Sequence, residues 1–150
     1  MIYKKVDLND FKNIAKKLSL KIKKGDKILL FGELGAGKTT FSQFLIKNIL
    51  KEIDYVSSPT FSIMNEYGED IKIYHADLYR IADPYEIEYI DLFNDEEGIY
   101  LIEWAEYLDY LTPKNRLEIK IKYNEDIKYR DIEINYIGNE YDEKFQEELI

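Results

Sequence analysis

The chain has 150 residues, of which 45% are hydrophobic and 34% charged, and its formal net charge is −9. Fourteen tyrosines and seven phenylalanines supply apolar surface for a folded core, which argues against a disordered chain. The sequence has no cysteine, which excludes disulfides and thiolate zinc sites, and no apolar run approaches the roughly 20 residues that span a bilayer. We therefore expect a single cytoplasmic domain over residues 1–150, with no membrane partner and no zinc.

The first 27 residues are basic, although the chain as a whole is acidic. They carry nine lysines against three aspartates, a net charge of +6. Apolar residues at helical spacing from Phe11 to Leu18 predict a helix over residues 10–20, with Asn9 or Asp10 as its N-cap. Lysines on such a helix usually solvate its exposed face, and contact with RNA or an acidic partner is the alternative interpretation.

A phosphate-binding motif follows next. The apolar run KILLF over residues 27–31 is typical of a strand buried in a parallel sheet, and residues 31–40 contain the P-loop pattern G-x-x-x-x-G-K-T. A predicted helix to about Lys51 completes the strand–loop–helix context of this motif. We expect Lys38 to contact the β- and γ-phosphates and Thr39 to bind Mg²⁺. The predicted nucleotide-binding residues here are Gly32, Glu33, Leu34, Gly35, Ala36, Gly37, Lys38, Thr39 and Thr40.

The middle of the chain predicts a hairpin, a helix start and another buried strand. The segments 61–67 and 71–77 flank a short GED turn and predict a β-hairpin. Residues 83–86, DPYE, predict the start of a helix with Asp83 as its cap. The run GIYLIE over residues 98–103 predicts a strand buried on both faces.

Two acids stand at the ends of these predicted strands. Asp77 ends IKIYHAD and Glu103 ends IYLIE, the position in which P-loop proteins normally place a second Mg²⁺ ligand. A solvated acid at a strand end is the simpler interpretation for either one, but two of them favour catalytic roles for both. His75 is the only histidine, and we expect a hydrogen-bonded structural residue, with proton transfer as the alternative.

The last third of the chain predicts an antiparallel extension of the sheet. The segments 116–123 and 129–136 alternate apolar and polar residues, which is typical of an antiparallel pair half exposed to water. Residues 139–150 carry a net charge of −4 and predict a C-terminal helix. The whole pattern predicts an α/β fold, a P-loop NTPase-like three-layer sandwich with a mixed, mostly parallel sheet extended by antiparallel strands.

Five segments together resemble one protein family. They are GELGAGKTTF (32–41), SSPTF (57–61), YHADLYR (74–80), ADPYEIE (82–88) and LIEWAE (101–106). In this order and spacing they resemble the TsaE (YjeE) family of bacterial ATPases, which are needed to form threonylcarbamoyladenosine in tRNA. The resemblance covers most of residues 1–123.

The resemblance implies roles for residues around the phosphates. Thr39 and Glu103 should hold Mg²⁺, with Glu103 in place of the usual Walker B acid. Asp77 should be important for ATP turnover. Thr60 should lie in a switch-like loop that senses the phosphate end of the nucleotide.

Further residues follow from the same resemblance. Trp104 should lie beside the active site. Arg80 should stabilise transition-state charge or form a structural ion pair. The adenine should rest near residues 8–10 and 126–130, which makes Asn9 and Lys128 candidate contacts.

The function implied by the resemblance is that of an accessory ATPase with ATP and Mg²⁺ as cofactors. It would act on a TsaB–TsaD pair that modifies tRNAs reading codons that start with A, would reset that complex between turnovers, and would meet tRNA only through it. A small-molecule P-loop kinase is the alternative, although three arginines are few for gripping acceptor and phosphates. A second alternative is a module that binds nucleotide without hydrolysing it, and Asp77 and Glu103 argue against that function.

Overall fold

The computed structural model describes residues 1–59, 63–81 and 83–138. Strands and helices alternate along most of this part of the chain. In order, they are β1 Ile2–Val6, α1 Leu8–Ser19, β2 Lys27–Phe31, α2 Lys38–Ile49, β3 Met64–Tyr67, β4 Ile73–Asp77, α3 Pro84–Tyr89, β5 Ile99–Glu103, a 3-10 helix Ala105–Leu111, β6 Arg116–Tyr123 and β7 Arg130–Ile137.

The seven strands form one mixed sheet in the order β1–β7–β6–β2–β5–β4–β3. The four inner strands β6, β2, β5 and β4 are parallel to one another. Antiparallel strands extend the sheet at both edges, with β3 next to β4 on one side and β7 and β1 beyond β6 on the other. The predicted fold class is confirmed, and three of the six pairings are parallel.

Helices cover both faces of the sheet and bury two cores. Helices α1 and α2 pack against one face, where Ile28 and Leu30 of β2 meet Phe11 and Leu45. Helix α3 and the 3-10 helix cover the opposite face, toward which Leu29 points. Burial on both faces explains why the inner strands are continuously apolar in sequence rather than alternating.

Helix α1 begins earlier than predicted. Asp7 is its N-cap and accepts a hydrogen bond from the backbone N–H of Asp10 at 2.9 Å, while the Asp10 side chain accepts in return from the Asp7 N–H. The predicted cap at Asn9 or Asp10 is therefore wrong, because strand β1 ends at Val6 and the helix follows at once. Strand β1 itself was not predicted, since two adjacent lysines interrupt its apolar pattern, as is common at sheet edges.

Where the predicted elements fall on described residues, the others are found close to their expected positions. Asp83 caps α3 by accepting from the Tyr85 N–H at 2.9 Å, and β6 pairs with β7 from Arg116 opposite Ile137 to Tyr123 opposite Arg130. Residues 139–150 lie outside the described residues, so the C-terminal helix and the single domain over 1–150 stay predictions. Within the described ranges, every helix is too short or too polar to cross a membrane.

Candidate active site

The P-loop connects β2 to the start of α2. Gly37 immediately precedes α2 in a left-handed conformation with φ of 118°, which favours glycine. A Cβ atom there would lie 3.2 Å from the ring of Phe11 in α1. Gly37 supplies no side-chain cap, so the first N–H groups of α2 face the loop and form a site for an anion.

Lys38 is folded back onto the loop. Its ammonium donates to the carbonyl oxygens of Gly32 and of Glu33, the latter at 3.0 Å, and lies 4.2 Å from the centroid of the Trp104 ring. Burial lowers the pKa of Lys38, and the nearby carboxylates of Glu103, Glu106 and Asp77 oppose that shift. A phosphate arriving here would replace neutral carbonyl acceptors with charged ones, which form stronger hydrogen bonds.

The sheet register brings the two predicted acids to the same end of the strands as the P-loop. Glu103 pairs with Leu30 on one side and with Asp77 on the other. All three residues lie at the carboxyl ends of parallel strands, where ligands gather in open α/β sheets.

Glu103 is almost completely buried and both of its carboxylate oxygens are engaged. The Thr39 hydroxyl donates to Oε1 at 2.6 Å, and Nε2 of the fully buried His75 contacts Oε2. Among the described residues, Nδ1 of His75 has no hydrogen-bond partner. The pairing of His75 with Glu103 was not predicted, although strand alternation places His75 on the same face as Asp77 and hence as Glu103.

The oxygen atoms of Thr39 and Glu103 fit a magnesium site of the P-loop kind. Mg²⁺ usually takes one or two protein oxygens and completes its shell with water and substrate phosphates. The described residues contain no group of three or more His, Cys, Asp or Glu side chains able to hold a metal alone. A hydroxyl and a carboxylate in contact beside the P-loop therefore match a metal that arrives with its nucleotide.

A cavity of about 340 Å³ lies over the P-loop and these acids. The predicted site residues that line it are Leu34, Gly35, Gly37, Lys38, Thr39, Thr40, Asp77, Arg80, Glu103 and Trp104. Gly32 and Glu33 do not line it and instead offer their carbonyls to Lys38. Asp77 is half-buried, and its Oδ1 accepts from the Tyr79 N–H at 3.0 Å.

A second cavity of about 250 Å³ adjoins the first at Gly35, Gly37 and Thr40. It lies between the start of α1 and the β6–β7 hairpin, and its lining includes Leu8 and Lys128 but not Asn9. Asn9 is exposed. Successive side chains leave a helix in different directions, so the Asn9 side chain does not point the same way as that of Leu8. The P-loop therefore has one cavity on the side of the strand ends and another on the side of the hairpin.

Trp104 holds an unusual backbone conformation directly after Glu103. Its φ of 56° is left-handed, which costs energy for a side chain of this size and is often found at functional sites. The ring centroid lies 4.7 Å from that of Tyr79 and 6.2 Å from that of Tyr107. The indole, supported by these two tyrosines, thus forms one wall of the 340 Å³ cavity over the phosphate-binding motif, which is called the phosphate-side cavity below.

Thr60, predicted as a switch residue, lies outside the described residues. The chain just before it is anchored from two sides. Gln43 of α2 donates to the Val56 carbonyl at 3.0 Å, and the Tyr67 hydroxyl donates to the Ser57 carbonyl at 3.3 Å.

Comparisons with known proteins agree on one family. A family model described as "Threonylcarbamoyl adenosine biosynthesis protein TsaE" matches residues 6–132. A Bacillus subtilis (strain 168) protein named tRNA threonylcarbamoyladenosine biosynthesis protein TsaE is 37% identical over 141 residues, 93% of this chain and 88% of the relative. A Haemophilus influenzae protein of the same name is 40% identical over 115 residues, 74% of this chain and 72% of the relative. The crystal structure of Bacillus subtilis YdiB is similar with a TM-score of 0.74 and 32% identity, covering 94% of this chain and 88% of that one.

Proposed function

Because the chain belongs to the TsaE family of threonylcarbamoyl adenosine biosynthesis proteins, we propose that it is a Mg²⁺-dependent ATPase serving threonylcarbamoyladenosine formation in tRNA. The resemblance predicted from the five sequence segments is thereby confirmed. One observation carries the proposed activity. Thr39, directly after the P-loop lysine, is hydrogen-bonded to Glu103 at the end of the neighbouring strand, which is the pair a nucleotide-bound Mg²⁺ requires.

The P-loop binds the phosphates in this proposal. N–H groups of the loop and of the first turn of α2 donate to phosphate oxygens, and Lys38 moves from the Gly32 and Glu33 carbonyls to the β- and γ-phosphates. The second cavity takes the adenine, with Leu8 and Lys128 at its walls. Asn9 contributes only if its exposed side chain turns toward the base, and its role stays a prediction.

Glu103 and Asp77 have different roles in the proposed hydrolysis. Thr39 and Glu103 would hold Mg²⁺, which when bound neutralises charge on the phosphates. His75 keeps the Glu103 carboxylate in place through its contact with Oε2. Asp77, half-buried in the same cavity, accepts a hydrogen bond from the attacking water and orients it. Arg80 lines this cavity as well and brings a positive charge near the phosphates.

The protein acts as an accessory factor of a cytoplasmic TsaB–TsaD pair in this proposal. ATP binding and hydrolysis drive or reset that complex, and tRNA is met only through it. Tyr79 lies beside the phosphate-side cavity and is 52% exposed, and Tyr85 lies at the start of α3 and is 72% exposed. Exposed tyrosines are common at protein interfaces, so these two support a docking surface over residues 57–67 and 76–88. These two segments contain two further aromatic residues that such a surface could use. Tyr67 packs against the core, and Phe61 lies outside the described residues.

Product analysis tests the activity. The protein is incubated with γ-labelled ATP, with Mg²⁺ or with a chelator in its place, and with a pool of small cellular metabolites. We expect label to appear only as inorganic phosphate and only with Mg²⁺. Label transferred to a metabolite would instead establish the kinase alternative, and nucleotide binding with no label release, even with partners present, would indicate a binding module.

A further inference from the structure

The β6–β7 hairpin contacts the P-loop through two side chains. Tyr123 is the last residue of β6, Arg130 is the first of β7, and the two are paired in the sheet register. The Tyr123 hydroxyl donates to the carbonyl of Leu34 at 3.2 Å, and Arg130 Nε donates to the carbonyl of Ala36 at 2.9 Å. Two alternate carbonyls of the loop are therefore held by the same end of one hairpin.

These contacts set the direction of two loop N–H groups. A planar trans peptide points its C=O and its following N–H in opposite directions, and the described residues include no cis peptide. With the Leu34 and Ala36 carbonyls turned to the hairpin, the N–H groups of Gly35 and Gly37 point away from it. The intervening Ala36 N–H donates to the Glu33 carbonyl at 3.0 Å. Gly35 and Gly37 line the phosphate-side cavity, and neither hairpin residue does.

The two hairpin residues are themselves held by further contacts. The Arg130 guanidinium carbon lies 4.3 Å from the centroid of the Tyr123 ring, and Nη1 donates to the Ile127 and Tyr129 carbonyls at 2.7 and 3.0 Å. Gly35 permits the close approach, because a Cβ there would lie 2.8 Å from the Tyr123 hydroxyl. The planar fork of arginine makes all three carbonyl contacts at once, which a lysine cannot reproduce.

We propose that Tyr123 and Arg130 are positioning residues of the nucleotide site, which hold the Gly35 and Gly37 N–H groups toward the phosphates before the nucleotide arrives. This rests on the proposed nucleotide binding. Preorganised donors spare the bound complex the entropy cost of ordering the loop. Without them, the peptides of this glycine-rich loop can rotate and present carbonyl oxygens to the phosphates, which repel anions.

Two variants test the proposal with little disturbance of the fold. Tyr123→Phe removes only the hydroxyl from a partly exposed ring, and Arg130→Lys keeps the charge but loses the fork. Tyr129→Phe and Arg116→Lys are the matched controls, because no described hydrogen bond joins the Tyr129 hydroxyl or the Arg116 side chain to the loop. Inorganic pyrophosphate is the probe, since Arg130 also lines the second cavity and a complete nucleotide would report on both.

We expect pyrophosphate affinity to fall about threefold to tenfold in Tyr123→Phe, the range for one lost hydrogen bond, and further in Arg130→Lys. At saturating pyrophosphate, which gives these N–H groups an acceptor, the slowing of amide hydrogen exchange at Gly35 and Gly37 should be smaller in both variants than in wild type and unchanged in the controls. A merely structural role would instead lower protection throughout the sheet.

The outcomes separate this proposal from the proposed function. If wild-type protein binds neither pyrophosphate nor ATP, the nucleotide function itself fails. If wild-type protein binds both and Tyr123→Phe binds pyrophosphate equally well, with an equal slowing of exchange at Gly35 and Gly37, the positioning role is overturned while the nucleotide function stands. Should Arg130→Lys fail to fold, Tyr123→Phe alone decides.

Discussion

Strands β4 and β5 have polar groups at both ends, and the two ends use them differently. At the amino end, the Tyr74 hydroxyl donates to Asp95 at 2.8 Å, and the Asp95 N–H donates to the Tyr100 hydroxyl at 3.0 Å. The rings of Tyr74 and Tyr100 are stacked, and both hydroxyl groups find their hydrogen-bond partner in Asp95. Around the carboxyl end, the buried Lys38 at the start of α2 donates to neutral backbone carbonyls of the P-loop. Nδ1 of the buried His75, in the middle of β4, has no hydrogen-bond partner among the described residues.

The difference indicates which end is built for a ligand. Buried polar groups normally find partners within the fold, and groups that do not are expected at sites of binding or chemistry. Substitutions at the carboxyl end should therefore change nucleotide handling more than stability. Substitutions at the amino end should do the reverse.

The largest effect is expected at the two acids. Glu103→Gln and Asp77→Asn keep side-chain shape and remove charge, so partner-stimulated phosphate release should fall by about a hundredfold or more while the thermal unfolding midpoint changes little. Glu52→Gln, an exposed acid after α2, is the matched control. Wild-type turnover in both site variants would refute their catalytic roles.

Lys38→Ala should act on binding. Loss of a charge-assisted hydrogen bond to phosphate should weaken ATP affinity about tenfold to a hundredfold, measured by calorimetry. Lys47→Ala on the exposed side of the same helix should bind ATP as the wild type does. Equal ATP affinity in a folded Lys38→Ala protein would remove the P-loop from the phosphate site.

His75 should matter through Glu103. His75→Leu leaves a buried carboxylate oxygen without its donor, so we expect turnover to fall about tenfold. His75→Gln offers an N–H at a similar reach and should recover part of the lost rate. Equal turnover in the leucine variant and in wild type would show that Thr39 alone positions Glu103.

The smallest effect on turnover is expected at the amino end. Tyr74→Phe should lower the thermal unfolding midpoint by a few degrees and leave phosphate release unchanged. The Tyr74 hydroxyl holds the pKa of Asp95 below its ordinary value of 3.8, so its stabilising effect is present above that value and is lost as the pH falls through the lowered pKa. The midpoint difference between wild type and variant should thus be full at neutral pH and shrink in strong acid. A variant with impaired turnover would remove the contrast between the two ends.

Much of the carboxyl end could be predicted from sequence, because its signals are local. The strand, the P-loop and the start of α2 follow one another without a break from residue 27 onward, and the acids at 77 and 103 end recognisable apolar runs. The contacts that complete the site span long separations. Glu103 meets His75 from 28 residues away and Thr39 from 64, and the loop meets Arg130 from 94. No local pattern encodes such pairs.

There are also physical reasons why some elements were not predicted from the sequence. Strand β1 is stabilised by pairing with β7 at the far end of the chain, which overrides its broken apolar pattern. The cap of α1 was placed at Asn9 or Asp10 because both are good capping residues, whereas the end of β1 fixes Asp7 in that position. The 3-10 helix Ala105–Leu111 was not predicted, since its kink at Asp109 disrupts any regular helical spacing.

The rate of phosphate release with and without a TsaB–TsaD pair tests the central claim most directly. Wild-type protein and Glu103→Gln are assayed with Mg²⁺-ATP alone, with the pair, and with the pair plus tRNA. We expect slow release by the protein alone and a marked increase with the pair, both absent in Glu103→Gln. Rapid release by the isolated protein that the pair leaves unchanged, or that persists in Glu103→Gln, would contradict an accessory ATPase built on this site.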